Sequence, residues 1–123
     1  LAKADIVVFV CALTPESKGM LNDEFLRLCK QGVIVVNVSR GGLLDEDCLL
    51  RGLESGKVAG CGLDVQCAEP LDPDEPLFKH PNVYCTPHVA GVTQTSYRNM
   101  AEVVVETAIQ VVLRREPPDR ILN

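Results

Sequence analysis

Unbroken apolar runs alternate with stretches of helical spacing along the chain, and their order predicts the fold. Residues 6–10 (IVVFV) are continuously apolar and rich in β-branched side chains, the pattern of a strand buried on both faces. Residues 22–30 (NDEFLRLCK) place Phe25, Leu26, Leu28 and Cys29 at helical spacing, with Asn22 suited to cap the start and Gly32 to stop the chain just past the end. A second buried strand follows over residues 33–38 (VIVVNV) and ends in the turn Ser39-Arg40-Gly41-Gly42.

Asp45 opens the next helix, with Glu46 and Asp47 in its first turn, Leu49, Leu50 and Leu53 on one face, and Gly56 as its stop. Residues 58–65 (VAGCGLDV) read as a third strand softened by glycines. Residues 66–82 carry prolines at 70, 73, 76 and 81 and the acids Glu69, Asp72, Asp74 and Glu75, so a long irregular loop is expected there. Residues 82–86 form a short fourth strand. Thr93 caps a long helix reaching about Arg115, on which Tyr97, Met100, Ala101, Val104, Ala108, Val111 and Val112 make one apolar stripe. Pro117-Pro118 ends it.

Strands joined by crossover helices imply parallel pairing in an open, doubly wound α/β sheet. Four such strands with two or three covering helices leave one sheet face and one edge bare. The expectation is therefore a portion of a larger domain, and a start at Leu1-Ala2-Lys3 without Met fits that expectation. No signal or transit peptide is visible in these residues.

Composition narrows the class. Of 123 residues, 46% are hydrophobic and 24% charged, which excludes a disordered or fibrous chain. A net charge of −5 argues against a nucleic-acid partner. No apolar run approaches the roughly 20 residues of a membrane span. The cysteines at 11, 29, 48, 61, 67 and 85 include no C-x-x-C pair, so no metal site is expected. They read as small buried hydrophobes in a protein of a reducing compartment such as the cytoplasm.

In doubly wound sheets, ligands bind at the carboxyl ends of the strands. Those ends carry Cys11-Ala12, then Ser39-Arg40-Gly41-Gly42, then Asp64, then Pro87-His88, with Glu69 in the proline-rich loop. Arg40 is suited to grip a carboxylate with two hydrogen bonds, which Lys cannot match; the plain alternative is a surface Arg on a turn. The glycines beside it permit close approach of a backbone or ligand. His88 beside a carboxylate is a candidate proton donor whose pKa that charge would raise, against the plain alternative of a structural hydrogen-bonder. Glu69 is its candidate partner, or else a solvated surface charge. Asp64, closing an apolar strand, needs a partner. His80, in a polar loop, has no functional reading.

Asn37-Val38-Ser39-Arg40-Gly41-Gly42, Gly62-Leu63-Asp64-Val65 with Glu69-Pro70 downstream, and Asn82-Val83 followed by Thr86-Pro87-His88 resemble the signatures of the D-isomer-specific 2-hydroxyacid dehydrogenases. Their order and spacing match over nearly the whole chain, including Leu13-Thr14-Pro15-Glu16 and residues 49–56 (LLRGLESG). The resemblance implies the second half of a Rossmann NAD(P)-binding domain over residues 1–93. It also implies a terminal helix and tail over 94–123 that cross back toward a separate substrate domain.

The resemblance further implies that Arg40 binds the carboxylate and carbonyl of a 2-oxo acid and that His88 protonates the carbonyl oxygen. Glu69 would hold that histidine protonated, and NAD or NADP would be the cofactor. Cys11, Ala12, Val38, Ser39, Arg40, Asp64, His88 and Gly91 would line the cofactor groove, in a protein that acts as a homodimer. Glu69, where formate-oxidising relatives carry Gln, points to 2-oxo acids. Ala12 departs from the frequent Pro and would loosen the groove; Gln66 departs from the frequent aromatic and would leave a packing role unfilled. The glycine-rich phosphate loop G-x-G-x-x-G does not occur in these residues. Because corepressor-like relatives keep the same three residues, a cofactor-binding scaffold without turnover is the alternative reading.

Overall fold

The computed structural model describes residues 1–118. Strands β1 (Ile6–Phe9), β2 (Val33–Asn37), β3 (Val58–Leu63) and β4 (Val83–Cys85) form one sheet in the order β1-β2-β3-β4. All neighbours are parallel, with Val7 opposite Val35, Val35 opposite Cys61 and Cys61 opposite Val83. Helices α1 (Asp23–Leu28) and α2 (Glu46–Glu54) make the first two crossovers. Asn22 caps α1 by accepting from the Phe25 N–H at 3.0 Å. Asp45 caps α2 by accepting from the Cys48 N–H at 2.9 Å, each satisfying a donor that the first helical turn leaves unpaired.

Only one face of the sheet is covered. Phe9, Val33, Val35, Val58, Cys61 and Leu63 share one core with Leu26 of α1 and Leu49 and Leu53 of α2. Ile6, Val8 and Ile34 on the alternate positions are exposed. This corrects the expectation of strands buried on both faces: the bare face anticipated from the small number of helices runs through the apolar strands themselves. Burying one such aliphatic side chain contributes about 1.5–3 kcal/mol. A slip of one residue would exchange the two faces, so the covered face also fixes the register.

Two local differences from the expected pattern sit near the rim. The turn after β2 winds into a short 3₁₀ segment, Gly41–Leu43. The long loop after β3 contains a four-residue helix, α3 (Pro76–Lys79), which Pro76 starts and buried Leu77 anchors to the core. His80 accepts the Asn82 N–H at 3.2 Å and turns the chain into β4.

The chain divides into a unit Leu1–Ala90, which holds the sheet, and a second from Gly91 onward. In the second, α4 (Gln94–Ala108) continues into a wider π-type turn, Ile109–Leu113, and stops two residues before Arg115. Thr93 caps α4 in a reciprocal box with Ser96: its Oγ1 accepts the Ser96 N–H at 3.0 Å and its own N–H donates to Ser96 Oγ at 3.1 Å. No residue of α4 is buried, and Tyr97, Met100, Val104 and Val112 of the expected stripe are exposed. The expected tail beyond residue 118 lies outside the described residues.

Candidate active site

The loop after β1 and the turn after β2 are tied together before any functional side chain is considered. Ser17, buried, donates from Oγ to the Ala12 carbonyl at 2.8 Å. The N–H groups of Gly19 and Leu21 donate to the carbonyls of Gly42 and Leu43 at 2.9 and 3.0 Å. Ser39 Oγ donates to the Cys11 carbonyl. Between these segments lies an open cleft of about 490 Å³ lined by Val10, Cys11, Ala12, Leu13, Ser39 and Arg40. Its lining mixes the small side chains of Cys11, Ala12 and Ser39 with aliphatic Val10 and Leu13 and the cation Arg40. Val38 is exposed beside the cleft rather than lining it. Gly91 belongs to the second unit, where its carbonyl accepts from Ser96 Oγ at 2.5 Å.

Arg40 is set by a residue that its own side chain does not touch. Asn37, the fully buried last residue of β2, donates from Nδ2 to the Arg40 carbonyl at 2.8 Å and accepts the Ser39 N–H at 3.1 Å. The Arg40 guanidinium is exposed, and Nη1 donates to the Ser39 carbonyl at 2.7 Å. Gly41 answers the question of why glycine follows: a Cβ there would lie 2.0 Å from the Gln66 carbonyl carbon and 2.4 Å from the Cys67 nitrogen. The loop after β3 therefore packs backbone against backbone on the Arg40 turn.

Asp64 finds its partners in the loop that carries His88. Its Oδ1 accepts from Thr86 Oγ1 at 2.5 Å and from the Val89 N–H at 2.9 Å, and Oδ2 accepts the Ala90 N–H at 2.9 Å. The His88 N–H donates to the Asp64 carbonyl at 2.8 Å. This grip explains how His88 is held at φ 55°, the left-handed region, where a non-glycine residue costs on the order of 1–3 kcal/mol. Desolvation pushes the Asp64 carboxyl up, but the hydrogen bonds from Thr86, Ala90 and Val89 and the nearby His88 outweigh it. The group sits below its ordinary value and stays charged.

Glu69 meets His88 from the other side, with Oε2 2.9 Å from Nδ1. Its Oε1 accepts the Gln66 N–H at 3.1 Å. The His88 hydrogen bond, then the Gln66 N–H, then the charges of His88 and Arg40 hold the Glu69 carboxyl below its usual value against a smaller cost of desolvation. With Nδ1 directed at Glu69, Nε2 is the nitrogen left to exchange a proton. Gln66, Glu69, Pro70, Leu71, Pro87 and His88 enclose a hollow of about 230 Å³. A separate hollow of about 440 Å³ between α2 and α3 carries Asp45, Glu46, Asp47, Asp72 and Glu75 and holds neither Arg40, Glu69 nor His88.

Two residues that hold these segments, Asn37 and Thr86, have no role of their own in the sequence reading. Asn37 carries the signal used for Asp64, a polar residue closing an apolar strand. Thr86 carries none, because its role depends on a segment distant in sequence. The unfilled packing role expected at Gln66 is corrected: the side chain is buried and its Nε2 faces the carbonyls of Leu63 and Thr86 at 3.3 and 3.4 Å. The expectation of six buried cysteines is corrected too. Cys29, Cys48 and Cys61 are buried, but Cys11 and Cys67 are exposed, because both sit on loops; none of the six is in a disulfide. Burial pushes the thiols of Cys48 and Cys61 up to about 12. Among the described residues, no cluster of three His, Cys, Asp or Glu could hold a metal ion. No helix among them is long and apolar enough to cross a membrane.

Residues 1–90 match the family model described as D-isomer specific 2-hydroxyacid dehydrogenase, NAD binding domain. Over all 123 residues the chain is 40% identical to a glyoxylate reductase of Korarchaeum cryptofilum, covering 37% of that protein. Over 110 residues, 89% of the chain, it is 44% identical to a D-3-phosphoglycerate dehydrogenase of Bacillus subtilis, covering 21% of it. The chain thus spans about a fifth to two fifths of the length of these relatives. Among solved structures, a D-isomer specific 2-hydroxyacid dehydrogenase of Xanthobacter autotrophicus in complex with NADPH and MES superposes with a TM-score of 0.87 at 37% identity, over 100% of this chain and 50% of that one. The NAD-complexed enzyme of Lactobacillus delbrueckii gives 0.86 at 30% identity, over 99% and 41%. The chain belongs to the D-isomer-specific 2-hydroxyacid dehydrogenase family, and residues 1–90 are part of its NAD-binding domain.

Proposed function

We propose that the whole protein reduces a 2-oxo acid to the corresponding D-2-hydroxy acid, with Arg40, Glu69 and His88 as its catalytic set. The observation that carries this reading is the His88 Nδ1–Glu69 pair at 2.9 Å on the same rim as the Arg40 turn. Arg40 binds the substrate carboxylate by paired hydrogen bonds and so turns the neighbouring carbonyl toward His88. His88 donates the proton on Nε2 to the carbonyl oxygen as charge develops there, while Glu69 accepts from Nδ1 and orients the ring. His88 is exposed, so the proton is replaced from solvent.

Cys11, Ala12, Val38, Ser39, Arg40, Asp64 and His88 are the proposed cofactor contacts. NADH or NADPH, when bound, supplies the hydride for the carbonyl carbon. The free state of all six cysteines supports a reducing compartment such as the cytoplasm. The exposed apolar side chains of residues 97–112 offer surface for pairing in a homodimer. The net charge of −5 disfavours nucleic acid as a partner.

The reading is tested on the full-length protein with His88→Gln, following NADH and NADPH absorbance against a panel of 2-oxo acids. Turnover is expected to fall by about 100-fold, the scale of a lost general acid. Near-normal turnover in that variant would sink the assignment of His88.

A further inference from the structure

The backbone of Gln66, from its own N–H to the peptide it makes with Cys67, lies where the three functional segments meet. Gly41 of the Arg40 turn presses on it at backbone distance. The Gln66 N–H reaches Glu69 Oε1, and Glu69 Oε2 reaches His88. On its far side the Cys67 N–H donates to Glu46 Oε1 at 3.0 Å. The Gln66 side chain is buried among these contacts, and its Nε2 faces one carbonyl at the end of β3 and one at the start of the His88 loop. These two carbonyls and the Cys85 sulfur hold the buried amide, so it cannot swing away without giving up those contacts.

We propose that Gln66 is a positioning residue for the proton-transfer pair: its side-chain amide, bridging Leu63 and Thr86, sets the peptide whose N–H holds Glu69 against His88. An aromatic side chain at this position could fill the space but could not donate to both carbonyls, so the bridge belongs to this chain's own residue. The consequence is functional because the Glu69 carboxylate has two oxygens and both are assigned. Oε1 is fixed by Gln66, which leaves Oε2 aimed at Nδ1. If the Gln66 peptide moves, Glu69 turns and the ring loses its orienting anion. A displacement near 1 Å can cost up to roughly 100-fold in rate. The charged groups facing the pair are Asp64 from the end of β3, beside His88, and Arg40 from the turn after β2, beside Glu69. Of the two carboxylates, Glu69 is the one that the Gln66 N–H holds directly.

The inference rests on the reductase reading, and the test separates the two. Gln66→Met, which keeps length and bulk but donates nothing, is compared with wild type in the full-length protein, well below each variant's melting midpoint. NADH affinity and midpoint are measured alongside as controls. The expected result is about a tenfold loss of kcat with NADH affinity retained. The kcat–pH profile should also differ from that of wild type, a change that lost stability alone would not produce. Gln66→Glu has the same shape but, when ionised, turns an acceptor toward two carbonyls. It should lose more at high pH and approach wild type where its carboxyl is protonated and donates again. Wild-type kcat and a wild-type pH profile in both variants would overturn the proposal. His88→Gln is run in the same series: a large loss there with normal Gln66 variants removes this inference alone, whereas normal turnover of His88→Gln removes both.

Discussion

Replacing Asp64 by Asn tests whether the His88 loop is held by the carboxylate or merely adjoins it. The change preserves shape and leaves Oδ1 to accept from Thr86 Oγ1 and the Val89 N–H, but it replaces Oδ2, the acceptor of the Ala90 N–H at 2.9 Å. An amide NH₂ then faces a backbone N–H, so one hydrogen bond to a charged group is lost and buried donors stay unpaired. That loss is worth about 2–3 kcal/mol. In a protein of this family's size it should lower the melting midpoint by about 3–4 °C. The φ of 55° at His88 should relax once its clamp is weakened, so amide exchange at residues 88–90 should quicken and turnover should fall. A midpoint within about 1 °C of wild type, with unchanged exchange at 88–90, would refute the argument. The pH dependence adds a second constraint. Because the Asp64 carboxyl sits below its ordinary value in the folded protein, its contribution is complete above the unfolded value of about 3.9 and fades as pH falls through the folded one. The stability gap between wild type and Asp64→Asn should therefore close below about pH 4; a gap still undiminished in that acid range would show that the carboxylate is not its source.

Two further substitutions address the Arg40 turn. Arg40→Lys keeps the charge but loses the paired geometry, so KM for the 2-oxo acid should rise about 10- to 100-fold; an unchanged KM would make Arg40 a turn residue only. Gly41→Ala places a methyl 2.0 Å from the Gln66 backbone, so the two loops must separate. Stability should drop by about 1–3 kcal/mol, and both the KM of the Arg40 site and the pH profile of the His88–Glu69 pair should change. A variant that keeps both kinetic properties would mean that the loops move independently.

Strand and helix periodicity was enough to place four strands and three of the four helices, because each depends on residues within a few positions of one another. Asn22, Asp45 and Thr93 are caps in the sequence and caps in the fold for that reason. Helix α3 was hidden by the prolines around it, and its anchor, Leu77, matters only through contacts with the core. The bare face of the sheet could be counted from the number of helices. Which alternate residues of β1 and β2 it exposes could not, since a continuous apolar run reads the same from either side.

The site divides in the same way. Arg40, Glu69 and His88, and Asp64's need for a partner, were legible from residue type and from the rule that ligands gather at the carboxyl ends of parallel strands. The sequence by itself therefore determined the class of sheet, its rim and the chemical groups on it. Only the tertiary structure decided that Asp64 spends its carboxylate on the backbone of residues 89 and 90, that Asn37 holds Arg40, and that Gln66 lies between Gly41 and Glu69. The reason is physical. These hydrogen bonds join a side chain to a backbone group 3 to 26 residues away, and a hydrogen bond to a backbone N–H or C=O leaves no mark on the identity of the residue that supplies that group.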